Sequence, residues 1–148
     1  MTTITKAVSK AEQNKEMVRK IVEEAWNTGD FNSIEGLLAD DFVVHSSGPG
    51  EEIRGVENVK QFYSELYKAF PDIQFKIIDQ VAEDNKVVTH WSATGTHKGD
   101  YKGIPATGNK ISFTAMDFDR LSDGKFVECW TNTDYLTIMQ QLGVVPRQ

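Results

Sequence analysis

The sequence predicts an α+β domain, with helices near the N-terminus packed on one face of a curved, mostly antiparallel sheet. Three observations carry this. Before Pro71 the apolar residues recur at helical spacing, as in Val18, Ile21, Val22 and Ala25. From Ile73 onward they alternate, as in Ile73, Phe75 and Ile77, or Ile111, Phe113 and Ala115. Turn-forming groups at 83–85 and 122–124 separate the alternating runs. Helices followed by a meander place the two kinds of element in separate layers. One sheet face and three helices then enclose a cone that can hold a pocket.

In chain order, residues 1–8 read as a tail, and Ser9 with Glu12 fits a capping box that opens a helix. Gly29 stops this helix, and Asp30 caps a short second one over 31–38. Residues 41–45 read as a short strand and 46–52 as a turn-rich loop. A third helix over 55–70 carries Val56, Val59, Tyr63, Leu66 and Phe70 on one face, and Pro71 ends it. Ile73, Phe75, Ile77 and Val81 share one strand face, with Asp79 in the same parity. A three-residue loop at 83–85, with Asn85 left-handed, pairs Ile77 with Trp91. A loop at 122–124, with Gly124 left-handed, sets Ala115 opposite Thr131 and Asp117 opposite Cys129. A last helix over 135–142 stops at Gly143, and residues 145–148 form a second tail, leaving a single domain over 9–144.

Between the strands over 86–94 and 109–121 lies a connection at 95–108 holding Gly95, Gly99, Gly103, Gly108 and Pro105. A regular strand cannot run through these residues. Long connections of this kind sit at the rim of a scaffold and often carry function.

Composition narrows the functional classes. The chain has 148 residues, enough for one sizeable core, and a net charge of −6. That charge disfavours nucleic acid or an anionic membrane as partner. No apolar run approaches the ~20 residues that span a bilayer. The first ten residues lack the apolar core of a signal peptide, which points to a cytoplasmic protein. One cysteine, Cys129, excludes an internal disulfide, and three scattered histidines give no metal-binding spacing. No metal site is expected.

Asp117 is the sharpest candidate for chemistry. It follows Ile111, Phe113 and Ala115 on one strand face, so its side chain points where apolar groups point. A desolvated carboxylate there would serve as acid or base; the plain alternative is a strand-end carboxylate that reaches solvent or a neighbour. Asp79 shows the same pattern. His97 shares the parity of Trp91 and lies where the strand opens into the glycine-rich loop, and His45 ends the first strand. Both could assist proton transfer, or hold loops by hydrogen bonds. Trp26, Tyr63, Trp91 and Phe113 could line a cavity with Cys129 and Thr131, or be plain core. Phe118 and Trp130 fall on the opposite sheet face, a patch suited to a homodimer.

An ordered set of short motifs runs along the chain: Asn27-Thr28-Gly29-Asp30, Ala39 to Val43, Ala69 to Asp72, Gly95-Thr96-His97, Gly103 to Gly108, Asp123-Gly124-Lys125, Glu128 with Trp130, and Gln141-Leu142-Gly143. From about Glu12 to Val144 this set resembles the SnoaL-like polyketide cyclase (ester cyclase) family of the nuclear-transport-factor-2-like superfamily. The resemblance implies a cone-shaped α+β barrel with a deep apolar pocket, usually a dimer or higher oligomer. It implies ring closure of an aromatic polyketide by intramolecular aldol condensation, without metal or cofactor. It also sets a departure. The family's acid/base aspartate, six residues beyond the lysine of Asp-Gly-Lys, falls on Thr131, and its pocket histidine falls on Asp117. A threonine hydroxyl cannot abstract a proton near neutral pH as a carboxylate can. Ketosteroid isomerases share that fold, but their tyrosine falls near Val22 and their aspartate near Ser46. Two readings follow: a cofactor-independent enzyme acting on a small, apolar, carbonyl-bearing substrate, and a non-catalytic small-molecule-binding or oligomerisation module.

Overall fold

In a computed structural model that describes residues 7–47 and 52–147, helices and sheet segregate as the apolar periods require. α1 (Lys10–Ile21) opens where the Ser9 hydroxyl accepts the Glu12 N–H at 3.2 Å. It continues as a π-helical turn over Val22–Trp26, closed by the Asn27 N–H on the Val22 carbonyl at 3.0 Å. That wider turn brings both Val22 and Trp26 to the interior. Asn27 then ties the helix to the sheet, its amide donating to the Phe75 carbonyl and accepting the Phe75 N–H at 3.0 and 2.7 Å.

The helix expected over 31–38 is only a 3₁₀ turn, Phe31–Ile34. Gly36 takes a positive φ of 89°, and the Leu37 carbonyl then accepts the Phe126 N–H, so sheet pairing captures the segment. Strand β1 (Leu38–Ser46) is accordingly longer than 41–45. It pairs antiparallel with β2 (Glu52–Arg54), which the sequence pattern did not indicate, and parallel with β6 (Lys125–Thr133). The rest of the loop expected over 46–52 lies largely outside the described residues. α2 (Val56–Ala69) matches the expected helix, and α3 (Tyr135–Gln141) closes the chain's interior. The Gln141 side chain bonds both the N–H and the carbonyl of Ser112 at 2.8 and 3.0 Å, fixing α3 on the sheet.

With β3 (Gln74–Glu83), β4 (Lys86–Thr96) and β5 (Lys110–Ser122), the sheet has six strands in the order β2-β1-β6-β5-β4-β3. Two hairpins differ from expectation in the same way. Asp84-Asn85 is a two-residue turn with Asp84, not Asn85, left-handed at φ 52°. An extra residue, Ile78, interrupts the β3 ladder and restores the pairing of Ile77 with Trp91. Beyond that bulge the faces exchange, so Asp79 and Val81 are exposed rather than inward. Asp123-Gly124 is likewise a two-residue turn, both residues at positive φ, with a bulge at Val127. The register is therefore Asp117 opposite Thr131 and Asp119 opposite Cys129, two residues from the expected pairing but with parity intact.

The connection at 95–108 is anchored on the end of α2. Gly99 passes so close that a Cβ there would lie 2.3 Å from the Lys68 carbonyl oxygen. Lys98 and Gly99 both donate to the Ala69 carbonyl. Gly99→Ala is expected to displace the loop and cost about 1–3 kcal/mol, read as a lower urea midpoint with an unchanged m-value.

Candidate functional site

The helices and the concave sheet face enclose a cavity of about 140 Å³. Its wall is mostly aromatic and aliphatic. Trp26 sits at the centre of the aromatic part, with ring centroids 5.7 Å from Tyr63, 5.3 Å from Phe75 and 5.8 Å from Trp91. Phe113 packs edge-on against Trp91 at 5.8 Å. Tyr101, held in the connection at 95–108, and Tyr135 of α3 complete the lining at one end, where Tyr135 and Ser46 hydroxyls lie 3.3 Å apart. No lysine, arginine, histidine or glutamate lines the cavity among the described residues.

Into this wall β5 projects two carboxyls. Asp117 is 6% exposed and Asp119 7% exposed. Asp117 continues the face of Ile111, Phe113 and Ala115; Asp119 is the next residue on that face, before buried Leu121. The candidate oxygens of both carboxyls and the Cys129 sulfur lie within 4.8 Å of one another. Burial raises the Asp117 pKa above its ordinary value, with Thr131 and Trp91 pulling it back in part. Neither contact saturates the site. Asp117 Oδ1 and Trp91 Nε1 are both buried without a hydrogen-bond partner. Asp119 is pushed up to about 8, by burial first and by the charge on Asp117 second. Burial likewise pushes the Tyr63 phenol and the Cys129 thiol up, and both carboxyls add to the effect. Asp117, Asp119 and Cys129 are the one group of three or more close metal-donor side chains among the described residues, one donor short of the four that hold a structural zinc.

Of the residues singled out by sequence, Asp117, Thr131, Trp26, Tyr63, Trp91, Phe113 and Cys129 line this one cavity. The two histidines do not. His97 is fully buried behind the wall, its ring tilted against Phe70 at 5.4 Å. Its Nδ1 accepts the Thr107 N–H at 3.2 Å and faces the Thr107 hydroxyl at 2.9 Å, which pins the connection at 95–108. His45 points to the other sheet face, because Val44 and Ser46 take the inward positions. There its Nε2 meets Glu128 at 2.6 Å, and Arg120 donates to the same carboxylate at 3.1 Å. His45 first, and Arg120 with it, hold the Glu128 pKa below its ordinary value. Asp79 is exposed and accepts the Gln80 N–H. Asp119 and Tyr101 were not singled out. The alternation of β5, followed two residues further, reaches Asp119; for Tyr101 a loop residue offers no periodicity to follow.

This scaffold has recognisable relatives. A model of the SnoaL-like polyketide cyclase family matches residues 16–142. The chain belongs to this family. Aklanonic acid methyl ester cyclase DauD of Streptomyces sp. (strain C5) is 30% identical over 135 residues, covering 86% of this chain and 80% of that protein. Among solved structures, IdmH of Streptomyces antibioticus is 32% identical with a TM-score of 0.75, covering 89% of this chain and 99% of that one. A SnoaL-like protein from Jannaschia sp. CCS1 is 23% identical and superposes with a TM-score of 0.85, covering 96% of this chain and all of that one, a likeness of fold. The SnoaL-like fold is thus common to the chain and its structural neighbours. No helix among the described residues is long and apolar enough to cross a membrane.

Proposed function

We propose that this SnoaL-like protein is a cofactor-independent enzyme of cyclase or isomerase type, acting on a small, apolar, carbonyl-bearing, polyketide-like molecule in the cytoplasm. Asp117 is its acid/base and Thr131 a hydrogen-bonding residue for the substrate. The observation that carries this is a carboxyl oxygen, Asp117 Oδ1, buried without a partner in the wall of an apolar cavity. A carboxylate so placed has the raised proton affinity that removal of a proton beside a carbonyl needs. The cross-strand register supports the assignment. The family resemblance puts a carboxylate at position 131 and a histidine at position 117, and these two positions are direct partners across β5 and β6. The carboxylate of this chain thus stands on the facing strand, one side chain away. DauD, named as an aklanonic acid methyl ester cyclase, suggests the substrate class. Aklanonic acid methyl ester and simpler aromatic β-ketoesters should be incubated with the protein and the ring-closed isomer sought by chromatography and mass spectrometry. Binding with no isomer formed by any of them would leave a small-molecule-binding module instead.

The chain is also proposed to form a symmetric homodimer through the sheet face opposite the cavity. Phe118 and Trp130 are 38% and 40% exposed there and pack edge-on at 5.7 Å, and the Trp130 indole stacks on His45 at 5.2 Å. Adjacent rings of this size form a patch that monomers rarely leave open. Trp130→Glu is expected to convert the dimer to monomer in sedimentation at micromolar concentration without changing circular dichroism. A wild-type monomer under the same conditions would refute the dimer.

A further inference from the structure

We propose that Asp117 and Asp119 work as one carboxyl pair holding a single proton, with Asp117 ionised and Asp119 carrying the proton as a hydrogen-bond donor to the substrate. The chemistry of this pair rests on the reading above; the shared proton does not. The two residues sit at alternate positions of β5 and both face inward, their nearest oxygens within 4.8 Å. Among the described residues, the groups that surround them are neutral: Tyr63 from α2, Thr89 and Trp91 from β4, Cys129 and Thr131 from β6, and apolar residues from α1, β1 and the turn at Phe31–Ile34. Arg120, the nearest basic residue in sequence, lies on the other sheet face with Glu128. Two negative charges this close, in an apolar wall without a cation, do not coexist, so one carboxyl keeps its proton. Their surroundings decide which one. Asp117 has the Thr131 hydroxyl and the Trp91 indole N–H beside it, whereas Asp119 has only the thiol of Cys129. The ionised form is better supported on Asp117.

A carboxylate base beside a carboxylic-acid donor matches a substrate with an acidic C–H next to a carbonyl. Asp117 takes the proton as the C–H bond breaks, and the electron pair passes to the carbonyl oxygen, giving an enolate. Asp119 donates a hydrogen bond to that oxygen. The enolate carbon then bonds to a second carbonyl carbon of the same molecule. The alkoxide formed there takes the proton back from Asp117, so no oxidant, reductant or further reactant is consumed.

The test is a titration of the protein labelled with carboxyl-¹³C aspartate, followed by NMR from about pH 4 to about pH 10, for the wild type, Asp117→Asn and Asp119→Asn. In the wild type one buried carboxyl should remain protonated at neutral pH and ionise near pH 8. Asp119→Asn should remove that late step and leave the Asp117 step above its ordinary position. Asp117→Asn should move the Asp119 step to lower pH, because the like charge is gone. Both buried carboxyls ionised at neutral pH would overturn the pair, and the wild type alone decides this if a variant fails to fold. Stoichiometric uptake of zinc by the wild type in calorimetry, lost in both variants, would also overturn it, since a cation would then balance the charges. With a substrate in hand, an alkaline fall in kcat present in the wild type and absent in Asp119→Asn supports the pair, and the same fall in both overturns it. The expected titration without turnover of any substrate would support the pair while overturning the enzyme reading.

Discussion

Asp117→Asn is expected to abolish turnover of an enolisable carbonyl substrate while the protein stays folded. General acid–base catalysis by one positioned side chain contributes about 10²–10⁴-fold, so kcat should fall by at least that range. The amide is nearly isosteric, so the cavity wall of Trp91, Phe113 and Thr131 has no reason to rearrange. It cannot accept a carbon-bound proton. Because Asp117 lines the cavity rather than supporting it from behind, affinity for an unreactive analogue should change far less than kcat. Retention of more than a tenth of wild-type kcat would show that Asp117 is not the base. His45 and His97 supply the contrast. Neither lines the cavity, so His45→Gln should leave kcat near the wild-type value.

Parity was the legible part of this molecule, and turn geometry was not. The alternation of Ile111 to Asp117 places those side chains on the inner face of β5, as the sequence implies, because one face of the sheet is buried and a single-residue slip would expose all of them. The two hairpins each traded a three-residue loop for a two-residue turn and a bulge. An added bulge residue leaves no mark in an alternating pattern when it falls on a half-exposed strand. At β5–β6 the parity survived, so Asp117, Cys129 and Thr131 keep the sheet face expected of them and only their cross-strand partners changed. At β3 the bulge at Ile78 lies before Asp79, and that candidate was turned outward. The histidines misled for a related reason. His97 has the parity of Trp91, but beyond Thr96 the strand has ended and the side chain is spent on Thr107. The 3₁₀ turn at Phe31–Ile34 shows the reverse case, where pairing of Leu38 with Phe126 overrode local helical spacing. Residues brought into the cavity by loops and helix ends, Tyr101 and Tyr135, depend on tertiary packing that no local pattern encodes.

Stability is expected to fall as pH rises from about 4 to about 8, and the buried pair is the cause. The sign follows from linkage. Asp119 is raised from an ordinary 3.8 to about 8, and Asp117 is raised as well. An unfolded chain therefore releases these protons at lower pH than the folded one. Below the unfolded value both states hold the protons, and the stabilisation relative to the ionised protein is complete. It is lost as pH climbs through the folded values. One pKa unit corresponds to about 1.4 kcal/mol, so the loss amounts to several kcal/mol, a large part of the stability of a domain this size. Carboxylates with the opposite shift do not obscure it. Asp72, lowered chiefly by its bond to Thr96, and Glu128, lowered chiefly by His45, contribute stability that is present above their unfolded values and lost as pH falls through their lowered folded ones, the acid side of the window. Urea denaturation at fixed temperature and salt, compared between the wild type and the Asp117→Asn, Asp119→Asn double variant, isolates the pair from every other titrating group. The difference in unfolding free energy should widen steadily toward alkaline pH, with the double variant the more stable. A difference that stays constant between about pH 5 and about pH 8 would mean that both carboxyls ionise in the folded protein as they do in the unfolded chain.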